Sequence, residues 1–290
     1  MNHKSFPQAV YTSETERLNS QLLLLKKRKD TIAWSRFGVI ALLLAALYYL
    51  YPTGLLYTSI AVLLLVAIFI RLVIIDANNN TAIENYRRLV GISQQEIQIA
   101  TGDYLERPDG DNFRSPNHPY ANDLDIFGKA SLYQYTNRTN SEQGNQQYAE
   151  WLLHPASATV ILQRQEAVKE LGSQFQWRQQ LQAHGAEQSV TASTENKINA
   201  WMAEPDVFSH QLKWKLLRWI YPVITIGTIA LFMADIISGQ QFTGAYILFF
   251  VISIYVTKLI ALQYMHLNKI VPEIDILSKS AAWIEHNSFQ

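Results

Sequence analysis

The stretch FGVIALLLAALYYLYPTGLLYTSIAVLLLVAIFI, residues 37–70, decides the fold: it runs for 34 residues without an Asp, Glu, Lys, Arg or His. A bilayer's hydrocarbon core is about 30 Å thick and is crossed by roughly 20 helical residues, so the run is too long for one span. Pro52-Thr53-Gly54 interrupts it, and Pro with Gly marks a turn that suits a tight helical hairpin. The reading is a first arm over 34–51 and a second over 55–75. Arg71 lies one turn inside the end of the second arm, where a long side chain snorkels to the headgroups. Trp34, Tyr48, Tyr49 and Tyr51 gather toward the arm ends, as an interfacial aromatic belt does.

The pattern recurs near the C-terminus. Residues 219–237 are apolar apart from Asp235, Ser238-Gly239-Gln240-Gln241 reads as a short polar turn, and 242–262 follows with Lys258 near its far end. Helices this apolar on every face belong in lipid rather than in a soluble core of this size. Asp235 and Lys258 are the charges nearest membrane depth. Intramembrane charges can mark an ion path, but each lies within about a turn of a hairpin end, where snorkelling accounts for it.

Charge and composition agree. The chain has 290 residues, with 24 Lys and Arg against 24 Asp and Glu, so it lacks the basic excess of a dedicated nucleic-acid binder. Apolar residues make up 49% and charged ones 17%, yet the mean hydropathy is only −0.03, so the apolar excess is local. With no Cys, disulfides, thiol catalysis and Cys-based zinc sites are excluded. Lys26, Lys27, Arg28, Lys29 and Arg36 precede the first arm, and Arg71, Arg87 and Arg88 follow the second. Lys213, Lys215 and Arg218 precede the third, and Lys258 and Lys269 follow the fourth, while both hairpin tips lack Lys and Arg. The positive-inside rule then puts both termini and the middle segment in the cytoplasm, with the chain a multi-pass protein of the inner membrane. The first span starts too late and runs too directly into a second to be a cleavable signal peptide.

This divides the chain into an N-terminal cytosolic amphipathic helix (1–33), a hairpin (34–75), a cytosolic helical domain (76–218), a second hairpin (219–262) and a C-terminal helix (263–290). The basic run 26–29 either determines topology or draws the helix to anionic lipid. The middle segment carries 13 Lys and Arg against 17 Asp and Glu, a balance of −4 that offers little to phosphates. It reads as helical. Residues 81–100 continue the second span, with Ile83, Tyr86, Leu89, Val90 and Ile97 at helical spacing. Residues 102–122 read as a long loop rich in Gly, Pro, Asp and Asn. Helices are expected over 131–137, 141–154, 157–171, 175–184 and 194–203. Thr139-Asn140-Ser141-Glu142 fits a capping box, and Gly185 a C-terminal cap. Residues 276–290 read as a helix leading on toward further chain.

No catalytic, cofactor-binding or metal-binding residue is assigned. The loop holds Asp103, Asp109, Asp111, His118, Asp123 and Asp125, but Phe113 stands at the fifth position of the only EF-hand-like start, so a solvated loop is expected. Asp123 and Asp125 are placed to cap the following helix or to pair with Arg138. Asn79-Asn80-Thr81 and Asn137-Arg138-Thr139 match glycosylation sequons, which a cytoplasmic location makes coincidental.

The stretch DLDIFGKASLYQYTNRTNSEQGNQQYAEWLLHPASATVILQRQEAVKEL, residues 123–171, resembles the start of the core and lever region of the MutS family of mismatch-repair proteins. The residues that carry the likeness are Leu132, Asn137, Arg138, Thr139, Ser141, Gly144, Trp151, Leu152, Pro155, Arg164, Gln165, Val168 and Leu171. The lead-in Asp123-Leu124-Asp125-Ile126-Phe127-Gly128, with flanking hairpins, is similar to a membrane-associated MutS-like subgroup found in bacteria. On the residues alone these positions have packing and turn roles. The expected fold is all-α, with four transmembrane helices in two hairpins, and the resemblance implies that the cytosolic helical domain is MutS core- and lever-like.

Two family signatures are missing. The ATPase loop Gly-x-x-x-x-Gly-Lys-Ser/Thr has its only counterpart at Gly128-Lys129, with Asp123 for the first Gly and Ala130 for the Ser or Thr. No Phe has a Glu two residues on, so the mismatch reader is absent as well. The resemblance therefore implies a front half, truncated or split from its ATPase half: a membrane-anchored scaffold that is not an enzyme by itself. ATP and Mg²⁺ belong to longer relatives. The implied partners are the bilayer, an ATPase partner domain and a second copy in a homodimer. The competing readings are a mismatch-repair-type DNA-binding component and a small four-helix membrane transporter.

Overall fold

A computed structural model describes residues 7–50, 52, 54–187, 191–203 and 212–286. Helix makes up 81% of the structure, and there is no strand among the described residues. In chain order the helices are α1 (Pro7–Leu50), α2 (Leu55–Ala100), α3 (Leu132–Thr136), α4 (Glu142–Leu153), α5 (Ala158–Ser173), α6 (Phe175–Gly185), α7 (Ala192–Ala203), α8 (Leu212–Met233) and α9 (Gly239–His286). They fall into two compact units, one of residues 1–189 with 279–290 and one of residues 190–278.

In the first unit, α1 and α2 pack against each other as the hairpin read from residues 37–70. Both are far longer than a span. The boundaries expected at 33/34 and 75/76 fall inside unbroken helices, because neither junction carries a Pro or Gly to end one. The apolar stripe of the lower half of α2 enters a core. Leu89, Val90 and Ile92 cluster there with Leu18 of α1 and Ala183 of α6. At the hairpin's inner end Arg36 pairs with Asp76 at 3.2 Å, and Asn79 donates to the Leu25 carbonyl at 3.1 Å.

Residues 101–131 form an ordered loop whose Asp103, Asp111, Asp123 and Asp125 stay exposed, as expected, while its apolar side chains pack inward. Ala121, Ile126, Phe127 and Tyr133 make a second core with Ala149 of α4. Gly110 sits at φ +70°, and a Cβ there would meet the Tyr133 ring at 2.6 Å, so the loop's close approach needs glycine. The buried Gln134 amide donates to the Leu105 and Arg107 carbonyls at 2.9 and 2.7 Å and accepts from the Ala130 N–H at 2.8 Å. His118 takes the Ala121 N–H on Nδ1 at 3.1 Å, and its Nε2 lies 3.0 Å from the Leu153 carbonyl. Side chains thus supply the partners that a strand or helix would otherwise give this backbone.

The short helices α3 to α6 lie within about two residues of their expected bounds. Their caps differ. Ser141, not Thr139, caps α4, its Oγ accepting the Gly144 N–H at 3.0 Å. Gly185 ends α6 inside the helix, and Ala186 follows it in right-handed geometry.

In the second unit, α8 and the start of α9 form the second hairpin. Its turn lies earlier than residues 238–241. Asp235 adopts φ +56°, its N–H bonds the Phe232 carbonyl at 3.1 Å, and the Ile236 N–H bonds the Leu231 carbonyl at 3.0 Å. This is a Schellman termination of α8. Ser238 and Gln241 then form a capping box that starts α9: Gln241 Oε1 accepts the Ser238 N–H at 2.9 Å, and Ser238 Oγ accepts the Gln241 N–H at 3.4 Å. The Tyr221 hydroxyl donates to the Phe249 carbonyl at 2.7 Å, tying the two arms together. Pro222 and Pro272 lie inside α8 and α9, where each removes one ladder hydrogen bond.

Candidate functional site

Two features stand apart from ordinary packing. The first is the apolar surface of the hairpins. Four helices are long and apolar enough to cross a membrane, and almost none of their apolar windows is buried within the protein. Leu63, Phe250 and Val223 are each about two-thirds exposed, and so are side chains all round these helices. A continuous apolar surface of this extent is stable only against lipid or another apolar partner. The four helices therefore fit a membrane protein. Trp34 and Trp219 stand exposed near the starts of the first and third apolar stretches, and the guanidinium of Arg218 lies 6.0 Å from the Trp219 ring.

The basic residues that set the expected orientation have mixed roles. Lys26, Lys27, Arg28 and Lys29 are all exposed on α1, as is Arg71 on α2. Arg87 and Arg88 are engaged in ion pairs, with Glu84 at 2.5 Å and Glu187 at 3.5 Å. The side chains of Lys213 and Lys269 lie outside the described residues. Asp235 has a structural reason to be where it is, because short polar side chains tolerate the left-handed position that ends α8.

The second feature is the helical body beneath the first hairpin. Residues of the stretch 123–171 meet at the junction of α3 and α4, around Asn145. Its Oδ1 accepts from the Tyr133 hydroxyl at 2.8 Å and from Asn137 Nδ2 at 2.7 Å, and Thr139 Oγ1 lies 2.7 Å away. Its Nδ2 donates to the Ser141 carbonyl at 2.9 Å. Arg138 does not pair with Asp123 or Asp125. It grips both carboxylate oxygens of Glu96 on α2, with Nη2 to Oε2 at 3.0 Å. Arg107 donates to the Asn137 carbonyl, and its pKa is lowered by desolvation and by the nearby Arg138 charge. Burial raises the Tyr133 phenol. The sequon residues Asn137 and Asn79 are both buried and hydrogen-bonded, so neither has room for a glycan.

The chemistry-bearing residues of the loop do not converge. Among the described residues no three His, Asp or Glu side chains are placed to hold a metal. Asp109 accepts the Asp111 N–H at 3.1 Å and Asp111 faces Arg114 at 3.8 Å, both local loop contacts. Gly128-Lys129-Ala130 is a turn, with Gly128 at φ +98° and its N–H on the Asp109 carbonyl at 2.9 Å.

The body also has a cleft of about 630 Å³ between α1, α2, α6 and the end of α9. Glu14 and Arg17 form one wall as a bidentate pair at 2.6 and 2.8 Å. Trp177, Trp283 and Tyr86 supply aromatic surface, and Asn85, Gln174, Gln176, Gln179 and Gln180 supply amides. The sequence reading missed this cleft. Its only signal is the density of Gln around α6, in QFQWRQQLQ at 174–182.

No family model matches the chain, and neither does any curated protein or solved structure. These comparisons show no MutS-like relationship for the chain.

Proposed function

We propose that the chain is a membrane-anchored scaffold related to the front half of MutS-like proteins. Its two hairpins hold the helical body at the inner face of the cytoplasmic membrane, with both termini on that side. An ATPase half, on the same or a separate chain, couples to the body and supplies the ATP chemistry, so the chain itself is not an enzyme. A DNA-binding role is disfavoured by the −4 balance of residues 76–218.

The carrying observation is the joint between hairpin and body. α1 and α2 pass from lipid-facing to buried surface without a break, and Arg138 on the α3–α4 connection is clamped to Glu96 on the same α2. Rigid helices of 44 and 46 residues transmit a movement of the body into the membrane, as a lever should. Arg138, one of the residues that carry the MutS likeness, makes this clamp, and its neighbour Asn137 accepts from it, which supports the reading.

The test is affinity purification of the chain from its native membrane in mild detergent, with mass spectrometry of what accompanies it. A partner bearing a P-loop is the expected result. A monodisperse chain with no such partner, or recovery in the aqueous fraction without detergent, overturns the proposal.

A further inference from the structure

We infer that the cleft between α1, α2, α6 and the end of α9 binds a neutral, polyhydroxylated ring compound, a free mono- or oligosaccharide. Its volume of about 630 Å³ suits a small molecule, and its chemistry selects the class. The lining carries one anion and one cation, Glu14 and Arg17, which neutralise each other through two hydrogen bonds. No surplus positive charge remains for a phosphate or carboxylate, so nucleotides and acidic metabolites find no counter-ion.

What the lining offers instead is amides and flat apolar rings. A sugar hydroxyl both donates and accepts, as does a carboxamide, and the C–H face of a pyranose packs on an aromatic ring by dispersion. Tyr86, Trp177 and Trp283 supply the rings. Trp283 is fixed by its Nε1–H to the Trp177 carbonyl at 3.3 Å and by the edge of His184 at 5.8 Å. Two amides serve the protein: Gln179 donates to the buried Ser93 hydroxyl at 2.5 Å, and Gln180 pairs reciprocally with Asn85 at 3.2 and 3.4 Å. These bonds brace the wall. The Gln174 and Gln176 amides and the Tyr86 hydroxyl make no side-chain hydrogen bond among the described residues, and all three line the cleft. They are the groups left to read a ligand.

The same chemistry could be presented by a glycolipid headgroup. The cleft's α1 residues, Glu14 to Leu18, precede Trp34 by at least 16 positions on one helix, which at 1.5 Å per residue is about 25 Å. A headgroup at the bilayer surface does not reach that far. Only this choice of source rests on the anchored reading; the ligand class rests on the cleft.

The experiment uses the full chain in nanodiscs of phosphatidylcholine, free of maltoside and glucoside detergents, which would themselves compete. N-acetylglucosamine, chitotriose, maltotriose and cellotriose are titrated by saturation-transfer NMR and tryptophan fluorescence, with adenosine and AMP as controls. Saturable binding of at least one saccharide below about 10 mM is expected, with adenosine and AMP silent. The double variant Gln174→Ala/Gln176→Ala alters two side chains that brace nothing. It is expected to keep the wild-type circular dichroism and thermal transition and to weaken binding about tenfold, two lost hydrogen bonds. Silence of all four saccharides, binding of adenosine or AMP in their place, or unchanged affinity in the double variant overturns the inference. So does binding that appears only when glycolipid is added to the nanodisc.

Discussion

At the tip of the first hairpin Gly54 turns the chain at φ +131°, and the buried Thr58 hydroxyl lies 2.8 Å from the Leu50 carbonyl across the turn. At the tip of the second, Asp235 takes the left-handed position and Ser238 with Gln241 starts the return helix. The first hairpin is bolted to its body by Arg36–Asp76, by Asn79 on the Leu25 carbonyl and by the apolar cluster around Leu18. In the second, the described ties run between its own arms: Tyr221 to the Phe249 carbonyl, and Phe232 stacked on Phe242 at 4.3 Å. Among the described residues, two hairpins that are both long and apolar enough to cross a membrane therefore differ in the contacts that hold them. One is an extension of the body, and the other closes on local capping chemistry.

The sharpest way to break this contrast is at the bolt. Asp76→Ala leaves Arg36 facing a partly buried site without its counter-charge. It should cost roughly 3 kcal/mol in a denaturant titration in mixed micelles, whereas Arg36→Met with Asp76→Leu together should cost much less. Equal losses for the single and double variants would remove the ion pair from the account. Next is the first tip: Gly54→Val forces a β-branched residue into a backbone region that is nearly Gly-only and should cost about 2 kcal/mol, read from the same titration.

The second tip should respond to capping chemistry instead. Ser238→Ala removes one cap and should cost about 1 kcal/mol. Asp235→Gly should leave stability unchanged or raise it by about 0.5 kcal/mol, because glycine takes the left-handed position at no steric cost. A strong loss there would restore a role for the carboxylate beyond the turn.

The smallest effect concerns the body. His184 has its pKa lowered, first by burial and then by Lys279 and Arg88. The unfolded chain then binds more protons than the folded one between the ordinary histidine pKa and the lowered value. Stability is full above the ordinary pKa and falls as pH drops through this window. His184→Gln should flatten that slope in thermal melts taken across mildly acidic pH.

Much of the body was legible because it is local. α3, α4, α5 and α6 follow from Pro155, from Ser and Thr starts and from helical apolar spacing, and each helix appears close to its expected place. The long helices were read in pieces because charge marks a change of environment and not a change of backbone. The polar run after Ile75 ends the apolar stretch without ending α2. The capping box was misplaced by two residues. Thr139 and Ser141 are both competent caps, but Thr139 Oγ1 is engaged by the Asn137 and Asn145 side chains, and Ser141 takes the role. The cleft was illegible because its walls come from residues as far apart as Glu14 and Trp283.

The sequence by itself determined that four helices are too apolar for water and that a polar helical body accompanies them. Both are sums over local composition: transfer free energy accumulates along one helix whatever its neighbours are. Which cation meets which anion was decided by the tertiary structure. Arg138 had Asp123 and Asp125 close in sequence, yet it binds Glu96, 42 positions away. An ion pair depends on where a folded backbone brings two charges within a few ångströms, and sequence separation does not encode that distance.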